Sequence, residues 1–477
     1  MSKLTAMLAL LLLALSARAQ DVLTAEAVLE SSRTHFPSIL KSLAERRGAV
    51  GKALEAAGAF DLVFEADGFS RLSGFYDGSV IAGKATQRLR PLGASIYGGY
   101  QLSDGDFPIY EDEAFTSRGG QLKVGALFSL LRNRDIDDER FGLTDAELAI
   151  RQADLDVLLT KVGVQQRALI AYWSWVTAGR QLEVYEDLLR IALGRESGLE
   201  EQVRSGARAA IFLVENQQYI TRRQRLATAA RRDFAIATNA LSYYYRDENG
   251  VPIEPSRERL PPVDPLAPAA SLKASIESST SSALDRRPEL AILRTAIDRA
   301  RNRIELAENS QQPLLDLNLE VATGLGDEGE GGPSRDTTDT IVGFEFSVPL
   351  QRREAKGRIA QEQAKVEAIR QEQRLREDQI MVEVKNILLD LNVSRQLLTL
   401  AAQEVDQSEQ VRKAEQRRFE SGASDFFVVN VREETEANAR IQHYQADLNQ
   451  RIARANYDAA TVNLARLGIE EESAAGQ

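Results

Sequence analysis

The chain has 477 residues, a formal net charge of −12, 27% charged side chains and no cysteine. The acidic balance argues against nucleic acid as the main partner. The missing cysteines exclude disulfides, thiolate metal sites and a lipid-bearing N-terminal cysteine.

Residues 1–19 read as a secretion signal: Lys3 supplies a positive start, Leu8 to Leu15 an apolar stretch, and Ala17-Arg18-Ala19 a small-x-small cleavage site. That stretch is shorter than the ~20 residues a helix needs to span a bilayer. Cleavage is therefore expected rather than anchoring. No later segment reaches that length uninterrupted. The mature chain is expected to be soluble or to cross a membrane as β-strands.

Thr24 to about Gly58 reads as helix, interrupted at Pro37. Farther on, Leu122, Val124, Ala126, Phe128 and Leu130 alternate with Gln121, Lys123, Gly125, Leu127 and Ser129. Period-two alternation predicts a strand with two unlike faces. All 13 prolines lie outside 109–251 and 350–477, so both blocks are free to be continuous helix over much of their length. In the first block Leu155, Val162, Leu169 and Val176 fall seven apart. The run ends at Ser205-Gly206-Ala207-Arg208, and a second run continues to about Tyr245, where Asn249-Gly250 and Pro252 stop it. Six prolines between Pro252 and Pro268 mark a linker.

The pattern then recurs. A helix is expected from Ser271 to about Ser310, interrupted at Pro288. Strands follow at Leu315, Leu317, Leu319 and Val321, and at Thr340, Val342, Phe344, Phe346 and Val348. Each is about as long as a tilted strand needs to cross a bilayer. A half-buried strand in a soluble sheet would look the same. The helix from about Gln351 to Phe419 would be ~100 Å long, with Val384, Leu391, Leu398 and Val405 seven apart and Ile380, Ile387 and Ala401 on companion positions. A monomer cannot bury such a rod, so rods from the same chain and from other copies are expected beside it. A second turn, Ser421-Gly422-Ala423-Ser424, leads into a return helix from Asp425 to about Leu467.

The expected organisation is a signal peptide at 1–19, a first repeat at 20–251, a Pro-rich linker at 252–270, a second repeat at 271–468 and a disordered tail at 469–477. Pro37 aligns with Pro288 at an offset of 251, and Phe128 with Phe346 at 218. The first repeat therefore holds about 33 extra residues before Phe128. They are expected to form added strand and loop at the barrel end, including Gly98-Gly99-Tyr100 and the acidic stretch Asp104 to Glu113.

Little here supports chemistry. His35 and His443 have no credible metal-ligand set around them. The glycines from Gly324 to Gly332 lie between two strands and carry Asp327, Glu328 and Glu330, which would repel phosphate. Calcium is conceivable there, but EF-hand spacing is absent. Tyr172, Trp173 and Trp175 are expected to pack against a neighbouring helix, and Tyr243-Tyr244-Tyr245 at the junction with the linker. Arg352, Arg353, Lys356 and Arg358 fit either an interface with lipid phosphates or a solvated helix start.

Four motifs carry a family resemblance: Arg286-Arg287-Pro288-Glu289-Leu290, Phe346-Ser347-Val348-Pro349-Leu350, Phe419-Glu420-Ser421-Gly422-Ala423-Ser424, and its counterpart Val203-Arg204-Ser205-Gly206-Ala207-Arg208. Their order and doubling, over nearly the whole mature chain, resemble the TolC-like outer-membrane efflux proteins. The fold implied is mainly α with a membrane β-barrel portion. It has two repeats of long coiled-coil helical hairpins plus about four transmembrane strands per chain, assembled as a trimeric α/β-barrel channel. The resemblance implies an outer-membrane exit duct of a tripartite efflux or type I secretion system, with a long periplasmic part and no cofactor. Its implied partners are two further copies, a periplasmic adaptor, an inner-membrane transporter and outer-membrane lipid. Adaptor contact carries over to Ser205, Gly206, Ala207, Arg208, Ser421, Gly422, Ala423 and Ser424. Where family members often narrow the tip with acidic residues, this chain has Asp425, Phe426, Phe427, Val428 and Val431, which makes an apolar constriction the alternative. The rival readings are a periplasmic coiled-coil scaffold or adaptor, separable by membrane fractionation, and a secreted enzyme, which lacks a polar constellation.

Overall fold

The computed structural model describes residues 22–108, 111, 114–262, 275–327 and 338–470. The expected signal peptide and most of the expected tail lie outside these residues. So do much of the linker and most of the Gly-rich loop after Gly324.

Eight α-helices and six strands follow one another among the described residues. Helices α1 (Ala25–His35) and α2 (Pro37–Ala57) lead into β1 (Leu62–Arg71), β2 (Gly78–Arg88), β3 (Ser95–Gly105) and β4 (Gln121–Ser129). Then come α3 (Asp138–Arg204), α4 (Ile211–Ser242), α5 (Ile276–Arg286) and α6 (Pro288–Asn309). The chain closes with β5 (Leu314–Gly324), β6 (Thr338–Ser347), α7 (Arg353–Glu420) and α8 (Phe426–Ala460).

The repeat is visible in how helices start and stop. Thr24 caps α1 by accepting from the Ala27 amide at 3.2 Å, and Ser275 caps α5 by accepting from the Ser278 amide at 3.1 Å. Phe36 and Arg287 are both extended, at ψ 125°, because each precedes a proline that disfavours helical backbone before it. The long proline-free blocks are continuous helices of 67 and 68 residues. The return helix α8 stops at Ala460, earlier than Leu467, where Val462 takes a φ of 51°.

The chain divides into two compact units, each fed by both repeats. One contains the described residues within Met1–Leu43, Asp156–Glu289 and Arg376–Gln477. Its core clusters Leu23, Val28, Ala168, Tyr172, Trp175, Leu241 and Leu260. Trp175 is wholly buried, and the Tyr172 hydroxyl donates to the Leu23 carbonyl at 2.9 Å. These aromatics pack against neighbouring segments, Trp175 stacking on Phe234 of α4, as expected of them. Phe36 stacks on Tyr244 and meets Tyr243 edge-on, which places the Tyr243–Tyr245 run in a packed junction. Heptad positions Val162, Val384 and Leu391 are buried, as is their companion Ile380.

The other unit contains Ala44–Leu155 and Leu290–Leu375. It holds all six strands in one antiparallel sheet in chain order, β1 through β6. The sequence reading of about four strands per chain is therefore corrected to six. The extra residues of the first repeat form full-length strands beside the others, not a minor addition at one end. The register puts Phe64, Ala85, Gly98, Val124, Val321 and Thr340 in one row and Ala66, Gly83, Tyr100, Leu122, Thr323 and Thr338 in the next. Every member of these rows lies on the same face, since side chains alternate along a strand. That face is apolar yet open: Phe64 is 71% exposed and Phe344 80% exposed. The opposite face carries Glu65, Asp67, Lys84, Gln101, Lys123, Asp316, Asn318, Glu320 and Glu345.

Candidate functional site at the helical turns

The two marked glycines sit where helix direction reverses, and both have left-handed backbone: φ is 72° at Gly206 and 76° at Gly422. After α7 the turn closes with two bonds. The Gly422 amide donates to Phe419 O at 3.0 Å and the Ala423 amide to Arg418 O at 2.8 Å. This is the pairing of a Schellman motif, which satisfies the last helical carbonyls. After α3 the Gly206 amide donates to Val203 O at 3.1 Å, but the outer bond is made one residue later, from Arg208 to Gln202 O at 3.1 Å. Ser205 and Ser421 each donate a hydroxyl to the carbonyl three residues back, at 3.2 and 2.8 Å. A side chain added at either glycine would meet nothing within 4 Å. The turns are therefore left-handed and face open space.

The structure brings the turns together in one unit. The Arg208 guanidinium lies 5.3 Å from the centre of the Phe212 ring and 5.6 Å from that of Phe419, so the first turn reaches onto the end of α7. Ser424 donates to Glu415, and Asp425 caps α8 by accepting from the Phe427 amide at 3.0 Å. Among the residues proposed to narrow a passage, Phe426 is buried beside Phe419 and Arg195. Val428 is half-buried, whereas Asp425, Phe427 and Val431 are exposed. Phe427 and Val431 are one helical turn apart and so share a face of α8.

Sequence reading missed the group that holds α8 in place. Glu433 on α8 accepts from Arg195 of α3 at 2.9 Å and from Arg223 of α4 at 3.2 Å. Arg223 also donates to Leu188 O at 2.9 Å and to Asn430 Oδ1 at 3.2 Å. Asn430 in turn donates to Phe426 O at 3.1 Å. The side chains of Arg223 and Glu433 are 0% and 4% exposed. Burial pushes the Arg223 guanidinium down from its ordinary value, and Glu433 opposes that. Two more exposed pairs, Arg222–Glu434 and Arg412–Glu436, tie α8 to α4 and α7. A run of glutamates at 433, 434 and 436 was the only local signal.

Among the described residues no group of three potential ligands could hold a metal, and no helix is long and apolar enough to cross a membrane. Arg353, Lys356 and Arg358 are exposed at the start of α7, where Arg358 pairs with Glu354 at 2.7 Å.

The architecture is that of solved outer-membrane channels. A membrane protein from Pseudomonas aeruginosa superposes with a TM-score of 0.63 at 13% identity, covering 92% of this chain and 93% of that one. The open-state MtrE outer membrane channel of Neisseria gonorrhoeae gives 0.62 at 15% identity, with coverage of 92% and 88%. The CmeC outer membrane channel of Campylobacter jejuni gives 0.61 at 12%, with coverage of 94% and 86%. At these identities the likeness is one of fold. No curated protein matches the chain. Residues 280–463, most of the second repeat, match the family model for outer membrane efflux proteins. The resemblance to the TolC-like outer-membrane efflux proteins, first read from the motifs, is thereby borne out in both sequence and fold.

Proposed function

We propose that this chain is the exit duct of a tripartite efflux or secretion system: a passive outer-membrane channel opened from the periplasmic side. The observation that carries the reading is the sheet, six strands with one continuous apolar face left uncovered. Apolar surface of that extent stays exposed only where something apolar covers it, and lipid does so for a β-barrel. Among the described residues the edges β1 and β6 have no partner. An open edge is prohibitive in hydrocarbon, so copies of the chain close the sheet. The helices support the same assembly. Val382, Leu389, Val393 and Leu400 repeat at intervals of seven and four along α7 and all are exposed. That is the seam a neighbouring helix covers. Three copies is the number the family resemblance implies.

The turns at Gly206 and Gly422 are the contact points for a periplasmic adaptor, because their backbones are exposed and unobstructed. Energy comes from an inner-membrane transporter, and the duct performs no covalent chemistry. A periplasmic scaffold has no use for an apolar sheet. Fractionation tests the reading: the protein sediments with the outer membrane and resists salt extraction, and its loss sensitises cells to exported compounds. A protein recovered soluble and monomeric without detergent would overturn it.

A further inference from the structure

Building on that reading, we infer that each chain contributes six strands to the membrane wall, so that three copies close a barrel of about 18 strands. Its bore admits polypeptide cargo wider than a single helix.

Three observations place the extra strands in the wall. First, β1, β2 and β3 have 10, 11 and 11 residues, which is the length a tilted strand needs to cross the hydrocarbon. Secondly, the two-faced pattern runs through them unbroken. Phe64, Ile81 and Ile96 continue the apolar exposed face, and Glu65 pairs in register with Lys84 on the other. A hairpin packed inside the lumen would have no use for an apolar outer face. Thirdly, the turn between β2 and β3 is fixed at the foot of the sheet. Gly93 has φ 54°, and a side chain there would strike the Asn133 carbonyl oxygen at 2.1 Å. Arg140 at the start of α3 donates to the carbonyls of Asn133, Arg134 and Arg90, and so holds that turn against the β4–α3 junction. The extra strands therefore run the same height as β4.

On the polar face Tyr97 of β3 crosses over Gly125 of β4, which has no side chain to block it, and donates to Glu320 of β5 at 2.7 Å. That bond ties the first repeat to the second across β4 and fixes β3, the strand on which β2 and β1 pair. Six is also even, so β6 of one copy meets β1 of the next antiparallel, as every other pair in the sheet is.

The consequence is geometric. With strands ~4.8 Å apart and tilted ~40°, twelve strands close at a backbone diameter of about 24 Å and eighteen at about 36 Å. Inward side chains take about 5 Å from each wall, which leaves about 14 Å and about 26 Å. A single α-helix with its side chains is about 10–12 Å across. The narrower bore passes one helix; the wider one passes two abreast. The membrane section then no longer limits cargo to small molecules or a single thread.

The chain has no native cysteine, so paired cysteines report cleanly. A small grid of double variants in the full chain combines Glu65→Cys or Asp67→Cys on β1 with Gly343→Cys or Glu345→Cys on β6. A parallel grid combines Ser95→Cys or Gln101→Cys on β3 with the same β6 sites. Neither pair of strands is adjacent within a chain, so any disulfide joins two copies. Oxidation in outer membranes is expected to give β1–β6 dimers and closed trimers, and projection images of the purified particle a barrel near 36 Å across its backbone. A β3–β6 ladder, or a barrel near 24 Å, would show β1 and β2 displaced from a four-strand wall and would overturn the inference while leaving the duct intact. Absence of both ladders, with the protein outside the outer membrane, would instead remove the duct reading and the inference with it.

Discussion

Replacing Glu433 with glutamine tests what seats α8. The variant keeps the shape of the side chain and one acceptor but removes the charge that faces Arg223 and Arg195. Removing one partner from a buried ion pair costs about 3–5 kcal/mol, because the other charge stays buried. Here the remaining amide oxygen retains one hydrogen bond, and Arg195, at 24% exposed, is partly solvated. A loss of about 2–4 kcal/mol follows, taken locally from the segment that carries Phe426 to Ala437. Each 1.4 kcal/mol is tenfold in an opening equilibrium, so amide exchange in that segment rises roughly 30- to 700-fold. Hydrogen-exchange mass spectrometry on the purified, detergent-solubilised channel reads this directly. Glu434→Gln is the control, since its partner Arg222 is 55% exposed and such a pair contributes about 0–1 kcal/mol. Equal protection of residues 426–437 in wild type and Glu433→Gln would refute the claim that this buried group holds the helix.

Gly422→Asn keeps a residue that tolerates left-handed backbone while adding a side chain into open space. The protein is expected in the outer membrane at wild-type level with resistance or secretion lost, scored by susceptibility and fractionation; full export would count against adaptor contact at this turn. Phe344→Arg puts a charge on the apolar face, at a cost of about 2–4 kcal/mol near the bilayer midplane. Assembly into the outer membrane should fail, whereas Glu345→Arg, one residue on and facing the other way, should assemble; equal assembly would contradict the assignment of faces. Burial lowers the His443 imidazole from its ordinary value, opposed by Asp447. Its folded value therefore lies below its unfolded one, so its contribution is fully present above about pH 6.5 and lost as pH falls through the folded value. Between pH 7 and 5 the wild-type Tm should fall further than that of His443→Phe; parallel curves would show no such linkage.

The helices were legible because their signals are local. Gly206 and Gly422 end proline-free heptad runs, and Pro37 and Pro288 break paired helices at matching places. Strands β4, β5 and β6 were legible from strict alternation such as Leu315, Leu317, Leu319 and Val321. Of β1 to β3 only an added strand around Gly98-Gly99-Tyr100 was expected, because Gly68, Gly83 and Gly98 replace apolar residues along them and dilute the period. Only the register, with Ala85 opposite Phe64 and Gly98 opposite Val124, restores a continuous face. The turn residues were found by their tag, but Glu433 was not. Its partners lie 210 and 238 residues away in sequence, and no local period links them.

The two reversal points look alike in sequence yet close differently: at Gly422 the outer bond reaches Ala423, while at Gly206 it reaches Arg208. The closing ring at Gly206 holds one extra residue, and its Arg208 lies against Phe212 of its own return helix and Phe419 at the end of the other long helix. A partner that presents identical fingers to both would find a match at only one of them. With the proposed adaptor contact at both turns, either its fingers would flex or it would carry two distinct surfaces, and the asymmetry between the halves of this chain would pass outward to its partner.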